Sequence, residues 1–435
     1  MSGGTLPELA RRLAALAVSA ADPERLVRDA LVRRGTALRV DAVLAVGKAA
    51  TAMARGARAL PPIPLRPRRL LVRPHTSAVL LELGWEQLTG GHPLPDRPSL
   101  AAGARLDRWL GEAEDGQTLL ALISGGSSAC IELLAADLTL DELVATQRAL
   151  LAAGLPIGKV NAVRKHLSAL KGGGALRRTR GRILAFLLSD VPDDDPSVIG
   201  SGLFAADPTT FFEALTALRP LLSRIPEKVL RLLEAGARGE LPETVKPGDP
   251  ELARVETVLL GSGRTARSAV AAELQRLGFA VEEGALGGEA VEAAADLVAR
   301  GRALPGERVA LVLSGETTVT LAGGPAGRGG RCTELALAAA RALPGATPGV
   351  EEVVVALATD GADGSSRSAG GVVDGRTWEA LLQSRSDPQA ALAQHDSATA
   401  LRAVSGALLE TGITSTNVGD LAFYLRRPAG AAGLG

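Results

Sequence analysis

The chain has 435 residues, of which 46% are hydrophobic, so it reads as globular and is longer than one hydrophobic core normally organises; two domains are expected. Its 48 basic and 48 acidic residues cancel and only 2% are aromatic, which leaves neither a positive field nor stacking platforms for nucleic acid. Two distant cysteines, Cys130 and Cys332, argue against a disulfide framework, and no apolar run approaches the roughly 20 residues that span a bilayer. A cytoplasmic protein without membrane or nucleic-acid partners is therefore expected.

The first apolar stretch, 13–21, follows Arg11-Arg12 and raises the question of a signal peptide. Thr5 and Glu8 form a capping box ahead of it, so it reads as an amphipathic helix. Further on, short apolar runs at 42–46, 119–123, 183–188, 258–260, 309–313 and 353–358 alternate with alanine-rich amphipathic stretches. That alternation is the mark of βαβ units. The expected fold is α/β, with two domains that each hold a mostly parallel sheet flanked by helices, the first Rossmann-like, and a cleft between them. The boundaries are placed at 1–240 and 253–435, with the last segment free to pack back on the first domain. The proline- and charge-rich stretch 241–252 serves as the hinge.

Three elements recur in order. The first series is VDAVLAVGKAATAMA (40–54), LLALISGGSS (119–128) and ILAFLLSDVPDDDP (183–196). The second is VETVLLGSGRTARSA (255–269), VALVLSGETT (309–318) and VVVALATDGADGS (353–365). Each reads as strand and Gly turn, strand and Ser-Gly turn, strand and Asp loop. In open α/β sheets ligands bind beyond the carboxyl ends of strands, where all six turns would lie.

Several turns carry groups suited to phosphate. Gly47-Lys48 closes a strand and opens a helix, where backbone amides attract anions and Lys48 adds a full charge, although P-loop spacing is absent. Ser124, Gly125, Gly126 and Ser127 form a turn whose amides and hydroxyls could wrap an anion. If helical from Asn161, the positions Asn161, Arg164, Lys165 and Ser168 share a face suited to a carboxylate or phosphate. Asp190 directly follows an apolar strand, and Asp360 repeats that placement in the second half; such carboxylates suit Mg²⁺ binding or base catalysis. Gly329 and Gly330 precede Arg331, whose guanidinium could grip a transferring phosphoryl group. The four histidines, His75, His92, His166 and His395, show no metal-ligand spacing.

One segment favours another enzyme class. Gly261-Ser262-Gly263-Arg264-Thr265-Ala266 matches a dinucleotide-binding turn, and Glu282 and Glu283 stand about 20 residues on, where an acid would meet a ribose hydroxyl. An NAD(P)H-dependent reductase is the reading this motif supports, although the same turn could seat a phosphate of ATP.

As an ensemble, VGKAA (46–50), GGHPLPD (90–96), LISGGSSA (122–129), NAVRKHLSALKGG (161–173), SDVPDDDPSVIGSG (189–202), GRGGR (327–331), TDGADG (359–364), HDS (395–397) and TNVGDL (416–421) resemble the glycerate 2-kinases of the MOFRL type. Some members of that family were formerly labelled hydroxypyruvate reductases. The resemblance implies Mg²⁺- and ATP-dependent phosphorylation of D-glycerate to 2-phosphoglycerate in an interdomain cleft. It implies Lys48 and Arg331 as leading catalytic groups, with the Ser-Gly-Gly and Asp loops around them. The chain departs from the family pattern at Cys332-Thr333, which stand for Asn-Gln, and at Ser314-Gly315-Glu316, Leu203-Phe204, Asp193 and the GSGRTA turn. Those departures motivate a third reading, a ligand-binding paralogue with reduced activity. Helix faces rich in Ala and Leu could pack within a domain or against a second copy of the chain.

Overall fold

The computed structural model describes residues 4–60, 68–81, 84–321, 327–343, 349–384 and 386–430. By internal contacts the chain divides into one unit formed by Pro23–Leu260 and another formed by Met1–Asp22 with Gly261–Gly435.

In the first unit, strands β1 (Ala42–Val46), β2 (Arg68–Pro74), β3 (Glu86–Gly90), β4 (Thr118–Ser124), β5 (Arg182–Leu188) and β6 (Val255–Gly261) make one sheet in the order β3-β2-β1-β4-β5-β6. The pairs from β3 through β5 are all parallel. Every residue of β1 is buried, as a central strand covered on both faces requires. Helices start where side chains supply caps: Asp96 accepts from the Ser99 amide, Thr139 from Glu142 and Thr210 from Glu213. Each such cap is worth about 1 kcal/mol. This order reverses direction between β1 and β4, and that reversal is the switch point where open α/β sheets take ligands.

In the second unit, strands β7 (Ala280–Leu286), β8 (Val309–Gly315), β9 (Val350–Ala358), β10 (Gly370–Asp374), β11 (Leu408–Leu409) and β12 (Asp420–Pro428) make a sheet in the order β11-β10-β9-β12-β8-β7. The first unit is the α/β layer expected. The second departs from a mostly parallel sheet, since only β7 and β8 pair in parallel. Strand β12 enters between β8 and β9 and runs antiparallel to both, and β10 reverses against β9. The cause lies in the buried run Leu421–Leu425, which needs cover on both faces and finds it only at the sheet centre. The last segment, which by sequence is free to pack back on the first domain, is thus a core strand of the second.

Two further placements differ from the expected boundaries. The helix Leu6–Ala20, capped by Thr5 and Glu8, packs against the helix Gly263–Arg276 and β9, so it belongs to the second unit rather than to 1–240. Strand β6, assigned to 253–435, is instead the edge of the first sheet. Its partly exposed pattern suits an edge strand.

Candidate active site

At the switch point of the first sheet, the turns after β1 and β4 are tied together. Gly47 N–H donates to Val72 O at 3.1 Å, Lys48 N–H to Gly125 O at 2.9 Å, and Ala49 N–H to Ser124 Oγ at 3.1 Å. Gly47 has φ +110°, and a Cβ there would lie 2.5 Å from Ser124 O. The expected phosphate cradle at Gly47 is therefore corrected: its amides are consumed inside the protein, and the turn contributes the Lys48 side chain. The free amides lie one strand away. Among the described residues, the Gly126, Ser127 and Ser128 amides donate to no protein acceptor. Gly126, at φ +81°, opens the short helix Ser127–Cys130. A Cβ on Gly126 would meet both Lys48 Cγ and His92 Cδ2 at 3.1 Å, so Lys48 and His92 flank this turn.

Asn161 lies in the helix Ile157–His166 and reaches the same turn through hydroxyls: Ser201 Oγ donates to Asn161 Oδ1 at 3.3 Å, and Ser128 Oγ lies 2.8 Å from Ser201 Oγ. Arg164 stays on this helix, but the other two members of the expected face do not join it. Lys165 is buried and its ammonium pairs with Asp207 at 3.1 Å, while Ser168 falls beyond the helix end and bonds Leu133 O. Burial opposes the Asp207 charge, but Lys165 and Thr209 outweigh it and hold the carboxyl below its usual range. Asp190, half-buried, lies two residues beyond the end of β5, the neighbour of the Ser-Gly-Gly strand β4. Asp193 and Asp195 are exposed, and Asp195 accepts from Ser197 N and Oγ, so these two act as turn formers. Leu203 and Phe204 pack in the first unit's core.

In the second unit Arg331 opens the helix Arg331–Ala342. Its Nη2 donates to Glu316 Oε1 at 3.0 Å and to Asp420 Oδ1 at 3.2 Å, and its Nε lies 3.1 Å from Asp420 Oδ2 without hydrogen-bond alignment. Burial works against the guanidinium charge, but Asp420 and Glu316 outweigh it and raise its pKa. Asp420, 2% exposed, is pushed up to about 7 by burial and by Glu316, Asp363 and Asp360, against the opposing pull of Arg331. Strand register explains the gathering: Asp420 pairs with Gly315 on β8 and with Ala358 on β9, so Glu316 and Asp360 leave the sheet at the same end.

Gly329 and Gly330 let the chain approach closely. A Cβ on Gly330 would lie 2.4 Å from Asp363 Oδ1, and one on Gly329 would lie 2.3 Å from Ser397 Oγ. Asp363 accepts from Cys332 N at 3.0 Å, Thr333 N at 2.7 Å and Thr333 Oγ1 at 2.7 Å, which fixes the start of the Arg331 helix. The departures at Cys332-Thr333 are thus accommodated: the thiol is buried in the core, and the Thr333 hydroxyl also accepts from Ser397 Oγ at 2.9 Å.

The dinucleotide reading loses its context. The strand before Gly261 belongs to the first sheet, whereas the helix Gly263–Arg276 packs on β7 and β8, so no βαβ unit surrounds the motif. Glu283 is held by Arg267 Nε at 2.9 Å and Ser268 Oγ at 3.2 Å, and Glu282 pairs with Arg300. Gly263 sits against Val418 O and Ser314.

The sequence alone assigns no site role to His92, Glu132, Glu316 or Asp420. Asp420 and His92 lie inside the motifs TNVGDL and GGHPLPD, and Glu316 follows a Ser-Gly turn. Among the described residues no group of three or more His, Cys, Asp or Glu side chains converges as a metal cage. A Mg²⁺ that shares phosphate and water ligands needs only one or two carboxylates, and the buried Asp420 Oδ2, which lacks a hydrogen-bond donor, fits that chemistry.

Two α/β units, one presenting open amides and a lysine at its switch point, the other an arginine set among carboxylates, define a phosphate-handling enzyme class. A family profile described as "Domain of unknown function (DUF4147)" matches residues 9–234, and one described as "MOFRL family" matches residues 309–420. The Pyrococcus horikoshii protein named glycerate 2-kinase is 35% identical over 440 residues, covering 95% of this chain and 96% of that one. An Agrobacterium vitis protein with a hydroxypyruvate reductase name is 36% identical over 423 residues, covering 95% of this chain and 93% of its own. A Thermotoga maritima crystal structure described as glycerate kinase superposes with TM-score 0.82 at 33% identity, covering 97% of this chain and 99% of that one. The chain belongs to the MOFRL-type glycerate 2-kinase family.

Proposed function

We propose that the chain transfers the terminal phosphoryl group of ATP, with Mg²⁺, to the 2-hydroxyl of D-glycerate and releases 2-phosphoglycerate. The observation that carries this reading is the turn at Gly126, where unbonded amides meet Lys48 at the switch point of a parallel sheet. Ser124, Gly125, Gly126 and Ser127 would receive phosphate oxygens, and Lys48 would neutralise charge there. Arg331, placed by Gly329, Gly330 and Asp363, is the second catalytic cation, because charge neutralisation dominates phosphoryl transfer. Asp190 or Asp360 would hold Mg²⁺ or orient the acceptor hydroxyl, and Asp420 supplies a further oxygen beside Asp360. Mg²⁺, when bound, draws negative charge from the phosphate oxygens. Asn161 and Arg164 would meet an anionic group of substrate or nucleotide. Lys165, committed to Asp207, would support the helix that carries them. The Gly261–Gly263 turn remains a candidate for a nucleotide phosphate through its helix start.

No described helix is long and apolar enough to cross a membrane. Both cysteines are free and buried, in keeping with a reducing cytoplasm.

Purified protein with D-glycerate and Mg-ATP should form ADP, and enolase should consume the product as 2-phosphoglycerate. Oxidation of NADH with hydroxypyruvate, without ADP formation, would favour the reductase. Binding of glycerate without either reaction would favour the ligand-binding reading.

A further inference from the structure

The helix Ile157–His166 carries two adjacent cations with opposite situations. Lys165 is closed off: Asp207 takes its ammonium and accepts in addition from Thr209 and Thr244. Arg164 is different, since its Nε is buried and has no hydrogen-bond partner. Behind it stands a second buried pair, in which Lys171 donates to Glu132 Oε2; Lys171 is 1% exposed and Glu132 is 0% exposed. Glu132 Oε1 is also buried without a donor. Lys171, Arg164 and Glu132 together sum to one uncompensated positive charge. Burial dominates at Arg164 and lowers its pKa despite the attraction of Glu132, so the guanidinium is underneutralised by the protein.

A guanidinium whose buried Nε lacks an acceptor is costly, and a bound anion would remove that cost. The neighbourhood indicates which anion. Asn161, one turn earlier on the same helix, connects through Ser201 and Ser128 to the Ser-Gly-Gly turn, where Ser127 Oγ is likewise buried without a partner. Lys48 serves the other flank of that turn at Gly126. A planar fork suits a carboxylate, which accepts two parallel N–H bonds.

We propose that Arg164 is the residue that recognises the carboxylate of a small hydroxy-acid acceptor, and that the buried Glu132–Lys171 pair holds it in position. This inference rests on the kinase reading above for the identity of the acceptor. Steady-state kinetics with Mg-ATP and D-glycerate should give Arg164→Gln a KM for glycerate raised about tenfold or more, with the KM for ATP within about twofold of wild type. Arg164→Lys, which keeps charge but loses the fork, should fall between them. Glu132→Gln should raise the same KM less, with circular dichroism reporting whether the fold is retained. An unchanged glycerate KM in both Arg164 variants would overturn the proposal, as would a rise confined to the ATP KM. Should wild type form no ADP, the kinase reading fails separately, and calorimetric titration of D-glycerate decides this one. Binding to wild type that is lost in Arg164→Gln supports it; equal binding, or none to either, overturns it.

Discussion

Asp420 Oδ1 accepts a hydrogen bond from Arg331 Nη2 at 3.2 Å, and the carboxylate that does so is 2% exposed while its partner's side chain is 37% exposed. The acid is anchored in a central strand and the guanidinium points from it toward solvent. Arg331 is thereby held at its base with part of its fork left for a ligand. Arg331→Ala should lower turnover about 100-fold or more with the fold intact, and Lys48→Ala should do the same. Near-normal kcat in either variant would remove that residue from the mechanism. Asp420→Ala should lower kcat about tenfold by freeing Arg331, as kinetics beside a thermal melt would establish.

Asp363 serves the Arg331 helix through three hydrogen bonds to Cys332 and Thr333. Asp363→Ala should cost about 2 kcal/mol or more, because two helix-start amides and a hydroxyl lose a buried acceptor. Denaturant unfolding measures this, and a loss under half that size would mean that water replaces the carboxylate.

Asp207 and Lys165 form a buried pair whose pH response has a definite sign. The Asp207 pKa is lowered in the folded protein, so its stabilisation is present above its unfolded pKa and is lost as pH falls through the folded value. Asp207→Asn should destabilise by about 3–5 kcal/mol near neutrality, since Lys165 is left unpaired. It should also flatten the acid limb of the stability curve below about pH 4. An acid limb identical to wild type would count against the pair.

Thiol chemistry offers an independent check of packing. Burial, with Asp96 adding to it, pushes Cys130 up to about 12, and burial pushes Cys332 well above its usual value. Neither should react with a disulfide reagent at pH 8 until the protein unfolds, when both should titrate. Rapid modification of Cys332 in the native protein would contradict the packing around Arg331.

Gly47 should tolerate no side chain. Gly47→Ala places a Cβ at φ +110° against Ser124 O and should cost about 1–3 kcal/mol, with activity falling through displacement of Lys48. Unaltered melting and kinetics would show that the two turns can separate freely.

Much of the first unit was legible because parallel strands announce themselves twice, by an unbroken apolar run and by the glycine or serine that ends it. Lys48, Ser124–Ser127 and Asp190 all follow such runs. What escaped was decided by pairing across long separations. Nothing local in Leu421–Leu425 says that it lies between β8 and β9, and with that insertion Asp420 reaches Arg331. Glu132 likewise reads as a lone acid until Lys171 meets it in the core. The Gly47 amides illustrate the converse: a turn with the right residues for an anion spends its donors on its neighbour strand's turn.

The position of β12 also orders the events of synthesis. The first sheet has every strand once residue 261 has been made, so that unit can form while the rest of the chain is still emerging. The second sheet cannot, because β8 and β9 wait for a strand that begins at Asp420. Until then their facing edges stand open, and the helix Leu6–Ala20, though made before either sheet, has no finished sheet on which to settle. A ribosome-bound chain stopped short of β12 should therefore resist protease over its first unit and be cut readily over its second.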